Sequence, residues 1–347
     1  MSEKVPTDMY PTDFAVSMNH VTKVFSQWQR DNTKAGMIRN LLKPEKRRIT
    51  ALDDVSFTIR KGEFAAYAGP NGAGKSTTMK LLSGMLLPDS GDISVLSLSP
   101  QKQRIQLMRR LGILFGNRTE LWWDHPVIQS FEWKKVVWEI PDEIYRRNLA
   151  TVIDLLDLGN LLQTFARELS LGQRMRADLG MMLLHSPGII LLDEPTLGLD
   201  VVAKRQMINF LKKINKDNDV TILVTSHDMD DLEEMAERIL MISSGKIAFD
   251  GSFTELRAKT GNLTRIVVTM EKGCFPELEG GNLLSYGNEV FEYDMDLTEM
   301  PVRNLLGQLS TVRGVRDVEI KKAPIEQVIA GLYRDWNFDK TAGSGNI

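Results

Sequence analysis

The feature that most constrains this chain is a glycine-rich octapeptide, GPNGAGKS, at Gly69–Ser76. It fits the pattern G-x-x-x-x-G-K-[ST] and lies between a predicted strand, Phe64–Ala68, and a predicted helix, Thr77–Ser83. Glycines let backbone N–H groups converge on phosphate oxygens in conformations closed to residues with a Cβ, and a helix start adds a favourable dipole. The octapeptide therefore predicts an α/β fold with a phosphate site, in which Lys75 neutralises the β and γ phosphates and Ser76 ligates Mg²⁺.

A second apolar segment ends in two carboxylates. Ile189–Leu192 is a continuous apolar run bounded by Pro187-Gly188 on one side and by Asp193 on the other, as is typical of a buried strand in a parallel sheet. Such sheets bind ligands beyond the carboxyl ends of their strands. We therefore expect Asp193 to hold Mg²⁺ through water, and Glu194 to polarise the attacking water as a general base.

The order of patterns along the chain predicts two domains, in line with a length of 347 residues at ~150 residues per domain. Strand and helix patterns alternate over residues 14–260, which indicates a parallel sheet, and residues 104–182 within this segment are mainly helical in pattern. The pattern then changes, and residues 261–337 predict a small C-terminal α+β domain. Its predicted elements are strands at Thr264–Thr269, Val290–Asp294 and Val315–Ile320, turns near Gly280–Gly287, and helices at Glu299–Thr311 and Pro324–Arg334. We expect residues 1–13 and 338–347 to form loose tails.

Composition and charge narrow the classes of function. The chain has 43 Lys and Arg against 46 Asp and Glu, a net charge of −3, so we expect no nucleic-acid partner. Its one cysteine, Cys274, cannot form an intrachain disulfide, and four histidines without a cysteine cluster argue against a structural zinc site. Apolar runs stop far short of the ~20 residues that cross a bilayer. If this protein functions at a membrane, we therefore expect it to act through a partner or from outside the lipid.

A pentapeptide adds a third motif, and with it the chain resembles a known family. Leu169–Gln173 (LSLGQ) matches the LSxGQ signature of ABC ATPases and precedes the Asp193 strand, as it does in that family. Residues 14–260 as a whole resemble one ABC nucleotide-binding domain, a P-loop NTPase cassette with a helical subdomain. The resemblance implies a head-to-tail dimer of two such subunits with two ATP molecules at the interface. Each ATP would be held by Gly69–Thr77 of one subunit and by the serine-glycine turn of the other.

Further positions resemble the family one by one. Phe25 resembles the aromatic residue that stacks on adenine, although tyrosine is more usual there, and the alternative is an ordinary core phenylalanine. Leu197–Asp200 resembles the loop that communicates across the dimer, and His227 resembles the switch histidine that contacts the γ-phosphate. Asn117 stands where the family has a glutamine that links the γ-phosphate and Mg²⁺ to the transmembrane partner. Since asparagine is one methylene shorter, its metal contact would be weaker, water-mediated or confined to the closed dimer.

Together the motifs and the resemblance imply a complete set of site residues. The catalytic residues are expected to be Lys75, Glu194 and His227, and the Mg²⁺ ligands Ser76, Asp193 and Asn117. The residues expected to bind ATP are Phe25, Gly69, Pro70, Asn71, Gly72, Ala73, Gly74, Lys75, Ser76, Thr77, Asn117, Ser170, Gly172 and Gln173.

Two segments concern partners. Trp122 and Trp123 are adjacent in a loop close to Asn117, where exposed apolar area is costly; they either receive a helix of the transmembrane partner or pack within the helical subdomain. The basic insert at residues 28–48 contains an amphipathic helical pattern. It is either a contact to an anionic membrane surface or a solvated loop.

The resemblance to bacterial drug and lipid export ATPases rests on FGNRTELWWDHPV at Phe115–Val127, on the insert before Ala51 and on Ala323–Ile329. It implies the ATPase subunit of an exporter, a peripheral protein on the cytoplasmic face of the cell membrane. Its partners would be a separate transmembrane permease and a second, identical ATPase subunit. The alternatives are an importer ATPase with a regulatory C-terminal domain and, with less support, a soluble ABC ATPase acting on ribosomes or DNA.

Overall fold

The computed structural model describes residues 13–28, 46–115, 118–259, 263–297, 300–322 and 325. Contacts divide the chain into two compact units, residues 1–250 and 251–347. This division precedes the predicted boundary at residue 260, because the helix Phe253–Ala258 belongs to the second unit. Several predictions from the sequence lie outside the described residues: most of both tails, the amphipathic helix of the basic insert, Asn117 and most of the helix expected over Pro324–Arg334.

Strands and helices alternate through the first unit, whereas strands dominate the second. The described strands are β1 (Phe14–Trp28), β2 (Lys46–Arg60), β3 (Phe64–Ala68), β4 (Ser90–Val95), β5 (Leu111–Phe115), β6 (Ile189–Asp193), β7 (Thr221–Thr225), β8 (Arg238–Ser243), β9 (Lys246–Ser252), β10 (Leu263–Met270), β11 (Asn282–Gly287), β12 (Val290–Asp296) and β13 (Val315–Lys322). The described helices are α1 (Lys75–Leu82), α2 (Arg104–Met108), α3 (Val127–Val137), α4 (Asp142–Leu155), α5 (Leu171–Leu183), α6 (Val201–Asn218), α7 (Met229–Met235), α8 (Phe253–Ala258) and α9 (Val302–Thr311).

The main sheet has six strands in the order β5-β6-β7-β3-β8-β9. Neighbours from β5 to β8 pair in parallel, and every residue of β3 and β7 is buried, which explains their continuous apolar sequences. Because β6, β7 and β3 are adjacent and parallel, their carboxyl ends lie at one edge of the sheet. The segments that follow these strands, which carry the glycine-rich loop, Glu194 and His227, are thereby brought to the same edge.

A smaller antiparallel sheet, in the order β2-β1-β4, corrects the predicted limits of the basic insert. The sequence predicts that the first strand ends at Phe25, yet the ladder between β1 and β2 continues until Trp28 pairs with Lys46. Pairing of backbone groups does not require apolar side chains, so the polar ends of the insert gave no alternating pattern to read. The part of the insert beyond this ladder lies outside the described residues.

The predicted helical stretch 104–182 also contains a strand, since Leu111–Phe115 forms β5 at the edge of the main sheet. A short apolar run between helices fits a buried strand and a buried helix equally well, so its period could not separate the two. The helices after β5 pack closely. A Cβ added to Gly180 of α5 would lie 2.8 Å from Leu158 Cδ1 and 3.2 Å from Phe131 Cζ, and both of these side chains are buried.

The second unit contains an antiparallel sheet in the order β11-β12-β10-β13. Its alternating apolar residues and those of α9 form a separate core; examples are Ile266, Val268, Tyr293 and Leu305. The strands predicted near residues 264–269, 290–294 and 315–320 are present, and the turns predicted near Gly280–Gly287 lie at residues 279–280 and 288–289. The strand β11 between these turns, with every residue exposed, was not predicted. Within the described part of the chain, no helix has the length and apolar character needed to cross a membrane.

Candidate functional site

The glycine-rich loop joins β3 to α1 in a conformation that needs glycine. Gly72 and Gly74 have φ values of +78° and +119°, in the left-handed region that side chains with a Cβ rarely adopt. A Cβ on Gly74 would also lie 2.7 Å from the carbonyl oxygen of Ala51 on β2. The loop therefore fits beneath β2 only without a side chain at Gly74, and its left-handed glycines suit a loop whose backbone N–H groups face a ligand.

Lys75 is buried beneath this loop and faces its carbonyl groups. Its ammonium donates hydrogen bonds to the backbone oxygen of Gly69 at 2.6 Å and to that of Pro70 at 3.3 Å. Burial lowers the pKa of Lys75, while the carboxylates of Glu194 and Asp193 oppose that change. The result is a cation held in place at the edge of the sheet where phosphate charge would need compensation.

Asp193 ends β6, Glu194 follows it, and both are fixed by the neighbouring strand β7. The Thr225 hydroxyl donates to Asp193 Oδ1 at 2.6 Å, and the Glu194 N–H donates to both the carbonyl oxygen and the hydroxyl of Thr225 at 3.1 Å. Glu194 has a φ of +59°, an uncommon value for a residue with a Cβ. Hydrogen bonds from β7 thus hold a left-handed backbone at the carboxyl end of β6.

Glu194 and His227 form a pair. The His227 N–H donates to Glu194 Oε2 at 3.1 Å, and His227 Nε2 lies 3.2 Å from Glu194 Oε1. Burial raises the pKa of Glu194, and the nearby His227 and Lys75 oppose this rise. Glu194 Oε1 is buried and accepts no hydrogen bond from the described residues. An acceptor of this kind is suited to take a proton from a bound water.

Two cavities meet at these residues. One, of about 220 Å³, is lined by Ala51, by Pro70–Thr77 apart from Ala73, by Glu194 and by His227. The other, of about 510 Å³, is lined by Ser76, Asp193 and Glu194 and by residues on either side of position 117. The structure therefore brings Ser76 and Asp193 to one wall. A hydroxyl and a carboxylate are the oxygen ligands that Mg²⁺ prefers, so the residues present fit this ion.

The serine-glycine turn stands apart from both cavities. Ser170 is exposed and caps α5: its Oγ accepts from the Gln173 N–H at 3.2 Å, and Gln173 Oε1 accepts from the Ser170 N–H at 2.9 Å. The Ser170 hydroxyl can still donate, and the first N–H groups of α5 have no partner within the helix. None of Ser170, Gly172 and Gln173 lines the cavities around Lys75 and Glu194.

Exposed apolar side chains surround this turn. Leu171 lies on it, Leu197 lies on the segment that leads into α6, and Val201 and Val202 are the first two residues of α6. The two parts are neighbours, because a Cβ added to Gly198 would lie 2.9 Å from Leu171 Cδ2. Exposed apolar residues grouped in this way are typical of a surface that another protein covers.

The structure describes one of two further residues that were predicted to contact ATP, Phe25, but not the other, Asn117. Phe25 is 37% exposed on β1, pairs with Ile49 and has Lys23 Nζ 5.5 Å from its ring centroid, so the alternative of a core phenylalanine is wrong. It lies on the strand pair that passes over the loop but does not line the smaller cavity. Asn117 is outside the described residues, although the flanking Phe115 and Arg118 line the larger cavity.

Two polar contacts near the site were not predicted from the sequence. Asp178 is buried within α5 and accepts hydrogen bonds from the segment after position 117. Lys204 of α6 forms ion pairs with Asp228, the residue after His227, and with Asp231. A signal for Asp178 existed, because it lies at helical spacing between the apolar residues Met175 and Met182.

Comparisons with known proteins place this geometry in a family. A family model described as ABC transporter matches residues 52–197. A Clostridium acetobutylicum protein named as an ABC transporter ATP-binding protein is 30% identical over 208 residues, which are 59% of this chain and 75% of that protein. The linearmycin resistance ATP-binding protein of Bacillus subtilis is 29% identical over 252 residues, covering 72% of this chain and 79% of the relative.

The other two matches are an import ATP-binding protein and a solved structure. The methionine import ATP-binding protein of Carboxydothermus hydrogenoformans is 29% identical over 217 residues, covering 61% of this chain and 64% of that protein. A solved dimeric ATP-binding cassette, in a post-hydrolysis state with ADP and Pi, shares the fold at a TM-score of 0.57 and 22% identity, over 68% of this chain and 98% of that one. The chain belongs to the ABC transporter family and carries its ATP-binding domain, with the α/β cassette fold expected from the sequence.

Proposed function

We propose that this chain is the ATP-hydrolysing subunit of an ABC exporter, and that two identical copies enclose ATP between them to drive a separate permease. The main support is the arrangement at the carboxyl edge of the sheet. A buried Lys75, the pair of Glu194 and His227 and the oxygen ligands Ser76 and Asp193 surround two adjoining cavities. This combination suits phosphoryl transfer to water, where catalysis is mainly charge compensation and positioning.

In the proposed reaction each residue has one task. The loop N–H groups and Lys75 hold the phosphates, and Glu194 Oε1 accepts the proton of the attacking water. His227 keeps the Glu194 carboxylate oriented through its backbone N–H, and its ring lies beside Oε1. Mg²⁺ held by Ser76 and Asp193 would offset phosphate charge and polarise the phosphoryl group when bound.

The exposed turn at Ser170 supports the dimer. Within one chain this turn does not reach the cavities of the loop, yet it offers a hydroxyl and free helix N–H groups, which suit a phosphate. The apolar residues Leu171, Leu197, Val201 and Val202 around it would lose water contact against a second copy. ATP would then close the dimer, and hydrolysis would remove the contacts that hold it.

Two observations support the partner and the direction. Trp122 and Trp123 are 38% and 49% exposed although Trp122 packs on Trp133 and Arg174 lies over Trp123, so they combine local packing with a free apolar surface. The linearmycin resistance protein aligns with more of this chain than the methionine import protein does. We therefore favour an export permease that docks at the tryptophan loop, with the chain on the cytoplasmic face of the membrane.

The function is tested with Glu194→Gln. This change keeps the shape of the side chain but removes the base, so we expect ATP to bind normally while kcat falls by about a thousandfold. Light scattering should then show a dimer that persists in ATP, whereas the wild-type dimer dissociates as ATP is consumed. Glu139→Gln, which alters an exposed pair with Arg109, serves as the matched control and should retain wild-type turnover.

Near-normal turnover of Glu194→Gln would contradict the proposed role of Glu194 as the base.

The partner is tested by recovering the tagged chain from detergent-solubilised membranes. A transmembrane protein that co-purifies supports the proposal, and ribosomes or DNA in its place would contradict it.

A further inference from the structure

The segment after position 117 is tied to α5 through one buried carboxylate. The Thr119 hydroxyl donates to Asp178 Oδ1 at 2.8 Å, and the Glu120 N–H donates to the same oxygen at 3.1 Å. The Leu121 N–H in turn donates to Thr119 Oγ1 at 3.1 Å. Asp178 is only 6% exposed, so its acceptor oxygen satisfies two donors that face the protein interior.

The same segment is also tied to α3 by different side chains. The Trp122 N–H donates to Ser130 Oγ at 2.9 Å, and the Glu120 carboxylate accepts from Lys134 Nζ at 3.0 Å. Ser130 and Lys134 are both buried residues of α3. The segment therefore has two separate anchors, one on α3 and the other, through Asp178, on α5.

The two ends of the Asp178 connection are functional surfaces. Thr119 and Glu120 line the larger cavity together with Ser76, Asp193 and Glu194. Asp178 lies on the helix that Ser170 caps, about 12 Å along the axis from that cap at a rise of ~1.5 Å per residue. One hydrogen-bonded carboxylate thus joins a wall of the cavity to the helix that presents the serine-glycine turn.

The buried Asp178 carboxylate brings both a gain and a cost in stability. Burial raises the pKa of Asp178 to about 6, which shows that the charged form is unfavourable in this position. An apolar side chain of similar size would avoid the cost of burying a charge, but it would leave the Thr119 hydroxyl and the Glu120 N–H without their acceptor. What Asp178 adds is a directed connection between Thr119, Glu120 and α5.

We propose that Asp178 is a positioning residue that makes the cavity wall at Thr119–Glu120 and the helix α5 move as one body when ATP binds. The inference rests on the proposed function, since it assigns the carboxylate to the ATP-driven step. Without Asp178, ATP would still reach Lys75 and the loop, but the turn at Ser170 would no longer follow the cavity wall. The expected loss is therefore in dimer closure and turnover and leaves the first binding of ATP unchanged.

The test compares Asp178→Ala with Ser130→Ala in the full chain. Each variant removes one buried acceptor that holds a backbone N–H of the segment after position 117. Asp178→Ala removes the anchor to α5, whereas Ser130→Ala affects only the anchor to α3. Hydrogen exchange is measured in short labelling pulses with and without excess ATP and Mg²⁺. Wild type and Ser130→Ala should show slower exchange with ATP at both Gly69–Thr77 and Leu171–Arg174, whereas Asp178→Ala should show it at Gly69–Thr77 alone.

Turnover gives the second readout. We expect Asp178→Ala to lower kcat about tenfold with the Kd for ATP unchanged within about twofold. Asp178→Asn should keep most activity, because its amide oxygen can still accept from Thr119 and Glu120. Thr119→Val removes one donor to Asp178 and the acceptor of the Leu121 N–H while leaving α5 unchanged. It replaces Asp178→Ala if that variant does not fold, and we expect a smaller fall in kcat.

The outcomes separate the two proposals. Equal responses of Asp178→Ala and wild type, or an equal loss in Ser130→Ala, would overturn the role of Asp178 and leave the ATPase function standing. No response of wild type at Gly69–Thr77 would refute the proposed function, and the inference would fall with it.

Discussion

The glycine-rich loop and the serine-glycine turn are both expected to contact phosphate, yet the chain builds them in opposite ways. The loop lies against β2 and β3, and its lysine is buried against the backbone carbonyls of Gly69 and Pro70. The turn at Ser170 is exposed, forms its own capping box and has apolar neighbours open to water. The difference supports the proposal that the loop is complete within one chain, whereas a second copy completes the turn.

The strongest test of this contrast is Lys75→Ala. Removing the buried cation leaves phosphate charge without compensation, so kcat/KM for ATP should fall by about a thousandfold, with much of the loss in binding. Steady-state ATPase measurements and nucleotide titration check this. The control is Lys61→Ala, which removes an exposed lysine before the amino end of β3 and should behave as wild type. Unchanged affinity and turnover in Lys75→Ala would contradict the assignment of the site.

A second prediction concerns Asp178, which is buried in the middle of α5, the helix that begins at the serine-glycine turn. Because the folded-state pKa of Asp178 is raised to about 6, its contribution to stability is present in acid and is lost as the pH rises through that value. Asp178→Asn does not titrate. The free energy of unfolding of wild type relative to Asp178→Asn should therefore fall by up to about 3 kcal/mol between pH 4 and 7.

Urea unfolding of the two proteins across this pH range is the measurement. The charges of Glu120 and Arg174 act on Asp178 in opposite directions and remain in both proteins. Parallel pH profiles for wild type and Asp178→Asn would show that Asp178 is ionised as easily as an exposed carboxylate.

The smallest effect is expected at the turn itself. Ser170→Ala removes a cap, which costs about 1 kcal/mol, and a hydroxyl donor, so the ATP-dependent dimer should weaken about tenfold. Ser252→Ala is a matched control, because Ser252 forms the same capping box at the start of α8. Sedimentation at several protein concentrations with ATP measures the dimer. If Ser252→Ala weakens it equally, the effect of Ser170→Ala comes from lost stability and the turn makes no contact across the dimer.

The sequence predicted best those parts where residue type and spacing carry the chemistry. The loop at Gly69–Ser76 and the apolar run before Asp193 identified β3, β6 and their common edge, since parallel buried strands have distinctive sequences. The cap at Ser170 was also readable, because Gln173 three residues later completes a capping box. The family resemblance then supplied positions such as His227 that no local pattern singles out.

The parts that the sequence did not predict depend on distant partners. β11 has an uncharged sequence between two glycine-containing turns, and only its pairing with β12 makes it a strand. The ends of the basic insert join β1 and β2 for the same reason. Asp178 was missed because a carboxylate in a helix is normally exposed, and its burial follows from the way Thr119 and Glu120 fold over α5.

The left-handed backbone of Glu194 has a consequence for how this protein could change. A residue with a Cβ at a φ of +59° loses about 1 kcal/mol or more, which glycine would recover. A glycine has no carboxylate, so the substitution that relaxes the chain also removes the proposed base. Under the proposed role of Glu194, selection for heat tolerance alone would therefore favour glycine here at the expense of ATP hydrolysis, and selection for turnover would retain the glutamate.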